Sequence, residues 1–83
     1  MKLVYFAWLR ERVGVAGEAV SPPAEVKTVA GLLQWLRQRG GGYAEALKDL
    51  SVVRVAVNQE YAGPEATVRD GDEVALFPPV TGG

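Results

Sequence analysis

The sequence contains neither cysteine nor histidine, and these two absences narrow the chemistry that it can support. Without cysteine it has no disulfide framework, thiolate nucleophile or thiolate metal site. Without histidine it lacks the commonest metal ligand and the commonest general base near neutral pH. Lysines and carboxylates can still catalyse reactions, but the composition favours a binding or carrier module over an enzyme. It also predicts no bound metal.

Long runs of one charge or of apolar residues are also missing. The 83 residues include 9 basic and 10 acidic side chains, spread along the chain, for a net charge of -1. Because no basic stripe is present, neither nucleic acid nor an anionic membrane is expected as the main partner. With no signal-peptide pattern and no run able to span a bilayer, a cytoplasmic location is expected. This length supports one domain with little room for an enclosed active site.

A run of apolar residues predicts that a strand opens the chain over residues 2–9. With the two-residue period of a strand, Leu3 and Tyr5 lie on one face, and Phe6 and Trp8 lie on the other. Because both faces are apolar, the strand is expected to be central in its sheet or to meet a partner with its second face.

The clearest helix signal follows Thr28, a residue type that suits the N-cap. Arg37 and Arg39 are expected in the last turn, where cations suit the helix dipole, and the glycines at 40–42 end the helix. Four apolar residues at i, i+3, i+4 and i+7 spacing form one stripe, which we expect to face a sheet: Val29, Leu32, Leu33 and Leu36.

The remaining predicted elements are shorter. Turns are predicted over residues 10–14 and 69–72. Strands are predicted over 18–21, which Pro22 and Pro23 end, and over 53–57, 60–62 and 73–77. A short helix is predicted over 43–50, with Leu47 and Leu50 turned inward. This order predicts an α+β fold of β-grasp type, in which one mixed sheet packs on one main helix. The domain is expected to span residues 1–77.

The predicted strands place several apolar side chains on the sheet face away from the helix. Large exposed aromatic side chains of this kind usually mark an interface. If the assignment of faces is shifted by one residue, Phe6, Trp8 and Phe77 are ordinary core residues. The residues in question are Phe6, Trp8, Ala56, Ala75 and Phe77.

A six-residue tail is predicted to follow the last strand: Pro78, Pro79, Val80, Thr81, Gly82 and Gly83. The prolines favour extended backbone, the two glycines are expected to be flexible, and six extended residues reach about 20 Å. Glycines can thread a channel too narrow for other residues, and the Gly83 carboxyl group is sterically open to attack on ATP. Any sulfur carried by this cysteine-free chain would therefore sit on that carboxyl group. A terminal Gly-Gly taken alone is often only a mobile end.

Three segments carry a resemblance to a known family. They are Asp70 to Gly83, which reads DGDEVALFPPVTGG, Ala56 to Gln59, which reads AVNQ, and the opening Tyr5-Phe6-Ala7. In these segments the chain resembles the small sulfur-carrying subunits of molybdopterin synthase, which are ubiquitin-like β-grasp proteins. Residues 18–50 match that family only in their pattern.

The resemblance implies a reaction sequence that acts on Gly83. An ATP-dependent activating enzyme adenylates the Gly83 carboxyl group, and a sulfur donor converts it to a thiocarboxylate. The tail then enters the large subunit of the synthase, where the sulfur passes to a cyclic pyranopterin precursor of the molybdenum cofactor. The catalytic side chains are expected on the large subunit, in a complex of two small and two large subunits. No cofactor bound to this chain is implied.

The resemblance also implies a docking surface, since Phe6, Tyr61 and Phe77 match the family's apolar contact positions. The alternation pattern adds Trp8 to this set. Other functions stay open at this point. They are a sulfur carrier for thiamine or tRNA thiolation, a β-grasp domain that binds its partner without covalent chemistry, and a small enzyme that uses lysine or carboxylate groups.

Overall fold

The computed structural model describes residues 1–79, so the predictions for Val80, Thr81, Gly82 and Gly83 lie outside the described residues. No helix within residues 1–79 is long and apolar enough to cross a membrane. The elements, in chain order, are β1 (Lys2–Tyr5), α1 (Ala7–Val13), β2 (Gly17–Ala19), α2 (Val29–Arg37), α3 (Gly41–Ala46), a 3-10 helix (Leu50–Val52), β3 (Arg54–Val57), β4 (Glu60–Ala62) and β5 (Glu73–Phe77).

The five strands form one mixed sheet in the order β2-β1-β5-β3-β4. The central pair is parallel, with Leu3 of β1 opposite Val74 of β5. All other neighbours are antiparallel, and Val55 of β3 lies between Leu76 of β5 and Ala62 of β4. This arrangement is the β-grasp fold and confirms the predicted fold class. It leaves β2 and β4 at the two edges of the sheet.

Helix α2 supplies the largest single contribution to the core. The Thr28 hydroxyl oxygen accepts a hydrogen bond from the Gly31 backbone N–H at 3.1 Å, which confirms the predicted N-cap. All four residues of the predicted stripe are buried, and they pack with inward-facing strand residues in one cluster. The strand side of this cluster includes Leu3, Tyr5, Val55, Val74 and Leu76.

The prediction of a strand over residues 2–9 and a turn over 10–14 is wrong. Strand β1 ends at Tyr5, and α1 begins directly after Phe6. Leu9 is buried and Val13 packs partly buried against the core, as i, i+4 spacing on a helix allows. Gly14 ends the helix with a φ of 99°, in the left-handed region that favours glycine.

The predicted helix over residues 43–50 is placed too late in the chain. Helix α3 spans Gly41–Ala46. Its second residue, Gly42, lies so close to α1 that a Cβ atom there would collide with the Arg12 carbonyl oxygen. Leu47 is buried, as predicted. Leu50 is 40% exposed, however, because a separate 3-10 helix begins there after Asp49 accepts a hydrogen bond from the Ser51 N–H.

A tight turn at Asn58-Gln59 joins β3 to β4. Both residues have positive φ angles, 51° and 71°. The Asn58 side chain donates to the Asp72 carboxylate at 3.0 Å and accepts from the Glu73 N–H at 3.0 Å. These bonds tie the turn between β3 and β4 to the start of β5.

Candidate functional site

Strand β5 presents alternate side chains to opposite faces of the sheet. Val74 and Leu76 are buried against the helices, whereas Ala75 and Phe77 point to the outward face. Phe77 is the last residue of the strand and lies opposite Arg54 of β3. The chain therefore leaves the sheet from the outward face at Phe77 and continues into Pro78.

Tyr61 and Phe77 come together on this outward face. Their ring centroids are 5.7 Å apart and their planes are inclined by 43°. Ala56 of β3 lies opposite Tyr61 on one side and opposite Ala75 on the other. Because these two alanines are small, the two rings can meet across β3. Tyr61 is 81% exposed, so most of its ring faces solvent.

Phe6 lies on the other side of β5 from Tyr61. Its backbone N–H donates to the Leu76 carbonyl oxygen at 3.1 Å, which places Phe6 beside Phe77 at the end of the parallel β1–β5 pair. The Phe6 side chain is 49% exposed. We call Phe6, Tyr61 and Phe77 the aromatic patch. The structure brings all three predicted residues to the outward side, around the point where the chain leaves β5.

Trp8 does not belong to the aromatic patch, and its predicted position on the outward sheet face is wrong. It lies on α1, because the alternation of a strand does not extend past Tyr5. Its ring is partly buried against the core, with the Arg12 guanidinium 5.5 Å from the ring centroid. Trp8 borders a small surface depression between α1 and the segment that carries Lys48 and Val52.

Pro78 and Pro79 are partly buried and begin the predicted tail. Val80, Thr81, Gly82 and Gly83, which carry the predicted chemistry, lie outside the described residues. Within residues 1–79, no group of three or more acidic side chains is arranged to hold a metal ion. The described residues thus place the aromatic patch beside the start of the predicted tail.

A polar cluster at the opposite edge of the sheet was not predicted. One carboxylate oxygen of Glu18, on β2, accepts hydrogen bonds from the hydroxyl groups of both Tyr5 and Tyr43. The other oxygen lies 3.5 Å from the guanidinium of Arg39. Burial, followed by the hydrogen bond to Glu18, raises the pKa of each tyrosine above its ordinary value. The cluster joins an edge strand to α3, and no local sequence pattern marks it because its members are far apart in the chain.

Comparisons with known proteins agree with this geometry. The family model described as the ThiS family matches residues 3–83. The molybdopterin synthase sulfur carrier subunit of Escherichia coli is 41% identical over 83 residues, which cover 100% of this chain and 99% of the relative. These matches confirm the resemblance drawn from the sequence.

Solved structures show the same fold. Small archaeal modifier protein 1 of Haloferax volcanii superimposes with a TM-score of 0.75 at 30% identity, covering 96% of this chain and 97% of that one. One chain of the complex between subunits 1 and 2 of the Helicobacter pylori molybdopterin-converting factor superimposes with a TM-score of 0.64 at 24% identity. The match covers 99% of this chain and 96% of that one.

Proposed function

The chain belongs to the ThiS family, and from this membership we propose that it is the sulfur-carrier subunit of a molybdopterin synthase. The full-length identity of 41% to a carrier of that name supports the assignment. The structural observation that supports this proposal is the contact between Tyr61 and Phe77 on the outward face of the sheet. Phe77 is the last residue of β5, so the contact lies where the predicted tail begins. This position suits a surface that docks on a partner while the tail reaches into it.

The chemistry takes place on the Gly83 carboxyl group. A carboxylate oxygen attacks the α-phosphorus of ATP in the active site of an activating enzyme, and pyrophosphate leaves. The acyl-adenylate is a good electrophile, so a donor that delivers sulfur at the sulfide level displaces AMP and leaves a thiocarboxylate. When that sulfur bonds to a carbon of the cyclic pyranopterin precursor, water hydrolyses the resulting thioester. The sulfur stays on the precursor, Gly83 returns to a carboxylate, and the carrier is ready for another cycle.

The family resemblance implies that the catalytic side chains belong to the large subunit. The absence of cysteine and histidine, the commonest nucleophile and base, from this chain agrees with that assignment. The chain binds no cofactor, and ATP is used by the activating enzyme. Residues 1–77 form the docking domain and residues 78–83 the reactive tail. Two carriers and two large subunits complete the synthase.

Adenylation of a shortened chain tests this proposal. Deletion of Gly83, or extension of the chain beyond it, removes the reactive carboxyl group from its position. We expect either change to abolish ATP–pyrophosphate exchange by the activating enzyme while thermal unfolding stays unchanged. The matched control carries the same extension at Met1 and should be adenylated normally. Full exchange activity with residues added after Gly83 would favour a non-covalent interaction domain instead.

A further inference from the structure

An apolar groove adjoins the aromatic patch at the β4 edge of the sheet. It has a volume of about 650 Å³ and runs between α2, the 3-10 helix and the segment that leaves β4 at Gly63. Its floor consists of buried core side chains, including Leu33 and Val55. Its walls include Ala30 and Leu50, both exposed. A side chain placed in the groove would therefore contact the core directly.

The groove and the aromatic patch form one continuous surface. Tyr61 and Phe77, which meet across β3, also line the groove. A protein that docks on the patch therefore comes within reach of the groove without any rearrangement of the sheet. An unfilled apolar groove beside a docking face indicates a pocket for an anchoring side chain, the usual centre of an interface.

Arg54 is the one charged residue among those lining the groove in the described part of the chain. Its Nη1 atom donates to the carbonyl oxygens of Ser51 at 3.1 Å and Val53 at 3.3 Å, which holds the guanidinium at the 3-10 helix. No carboxylate within residues 1–79 lies at ion-pair distance from it. Since a guanidinium has five N–H donors, Nε and Nη2 remain for a carboxylate from outside.

We propose that this groove receives an apolar side chain of the large subunit, and that Arg54 pairs with a carboxylate next to that side chain in the same segment. The inference rests on the proposed function, because it names the segment by which that partner holds the carrier. The apolar floor selects the anchoring side chain, and the charge of Arg54 selects its acidic neighbour.

Calorimetric titration of the full-length carrier with the large subunit tests the proposal. Ala30→Glu places a long acidic side chain at the groove wall. The substitution suits the fold, because Ala30 is exposed in the first turn of α2, where the helix dipole favours an acid. We expect binding at least tenfold weaker. The matched control is Arg37→Gln, which makes the same change in net charge at an exposed α2 position that does not line the groove, and it should bind as the wild type does.

Arg54→Glu provides a second variant, which repels the expected carboxylate without filling the groove. It should also weaken binding at least tenfold, and Arg54→Gln should reduce the dependence of affinity on salt. Wild-type affinity in both Ala30→Glu and Arg54→Glu would overturn the proposal. If Phe77→Ala still lost affinity in that case, docking through the aromatic patch would stand without the groove.

Other occupants of the groove give different results. If the isolated carrier sediments as a dimer that Ala30→Glu dissociates, the groove belongs to a second copy of the chain. If Ala30→Glu weakens binding to the activating enzyme but not to the large subunit, the groove belongs to that enzyme. Either result would overturn the assignment to the large subunit.

Discussion

The rings of Tyr61 and Phe77 lie 5.7 Å apart although strand β3 separates the strands that carry them. On β3, Ala56 lies opposite Tyr61 and Arg54 lies opposite Phe77, so the two rings meet on a diagonal across the outward face. The contact leaves two large rings together on a face that no other element within residues 1–79 covers, with Tyr61 81% exposed. Contacts of this kind on a small domain usually mark an interface.

Removal of a patch ring should weaken docking without unfolding the domain. Phe6→Ala and Phe77→Ala are each expected to lower affinity for the large subunit at least tenfold, since a central aromatic anchor commonly contributes about 2 kcal/mol or more. Calorimetric titration measures the loss. We also expect the activating enzyme to use the same face, so each partner should exclude the other in a competition titration. Simultaneous and independent binding of both would refute the shared face.

Trp8 supplies a control for the position of this interface. Because it lies on α1 beside Arg12 and not on the sheet face, Trp8→Phe should leave the affinity for the large subunit unchanged. The stability of the Trp8→Phe variant should be measured in parallel by a denaturant melt, because the Trp8 ring is partly buried. A loss of affinity equal to that of Phe77→Ala would extend the docking surface to α1.

The start of α1 shows why part of the fold could not be predicted. Residues Leu3 through Leu9 form a continuous apolar run, which is typical of a strand buried on both faces. The chain departs from that pattern at Ala7, whose φ of 54° is uncommon for a residue with a Cβ atom. The spacing of Leu9 and Val13 and the glycine at 14 are typical of a helix and its end, but the continuous apolar run before them favoured a strand.

Other parts were predictable because local chemistry and packing agree. Thr28 and the stripe of α2 are such a case, and so is β5, where Val74 and Leu76 alternate with Phe77. The patch positions Phe6, Tyr61 and Phe77 came from the family resemblance together with this alternation. The groove and the Glu18 cluster could not be predicted, because each joins residues that only the tertiary structure brings together.

The core prediction concerns Leu36, a fully buried residue of the α2 stripe. Leu36→Ala should lower the free energy of unfolding by about 2–5 kcal/mol, because it removes buried methyl groups and leaves a cavity. Denaturant melts measure the change. Leu50→Ala serves as the control at a 40% exposed position, where a much smaller change is expected. A neutral Leu36→Ala would mean that the stripe does not pack on the sheet.

The Glu18 cluster should make stability fall at alkaline pH. Burial and the hydrogen bonds to Glu18 raise the pKa of Tyr5 and Tyr43 above 10.0, so the folded chain holds protons that the unfolded chain releases. The contribution of the two protonated tyrosines to the free energy of unfolding is complete below pH 10.0 and is lost as pH rises above it. Denaturant melts across this range should show the decline. In the variants Tyr5→Phe and Tyr43→Phe, stability should fall less steeply with pH. If both variants lost stability as steeply as the wild type, the two tyrosines would not be the cause of the decline.

The most direct test of the carrier function is the intact mass of the protein purified from its native host. The account predicts a population in which one oxygen of the Gly83 carboxyl group has been replaced by sulfur, and fragmentation should place that sulfur on the last residue. The sulfur-bearing form should disappear when the large subunit and the cyclic precursor are supplied. A chain that carries no sulfur even in host cells from which the large subunit has been deleted, so that the sulfur cannot be passed on, would contradict this function.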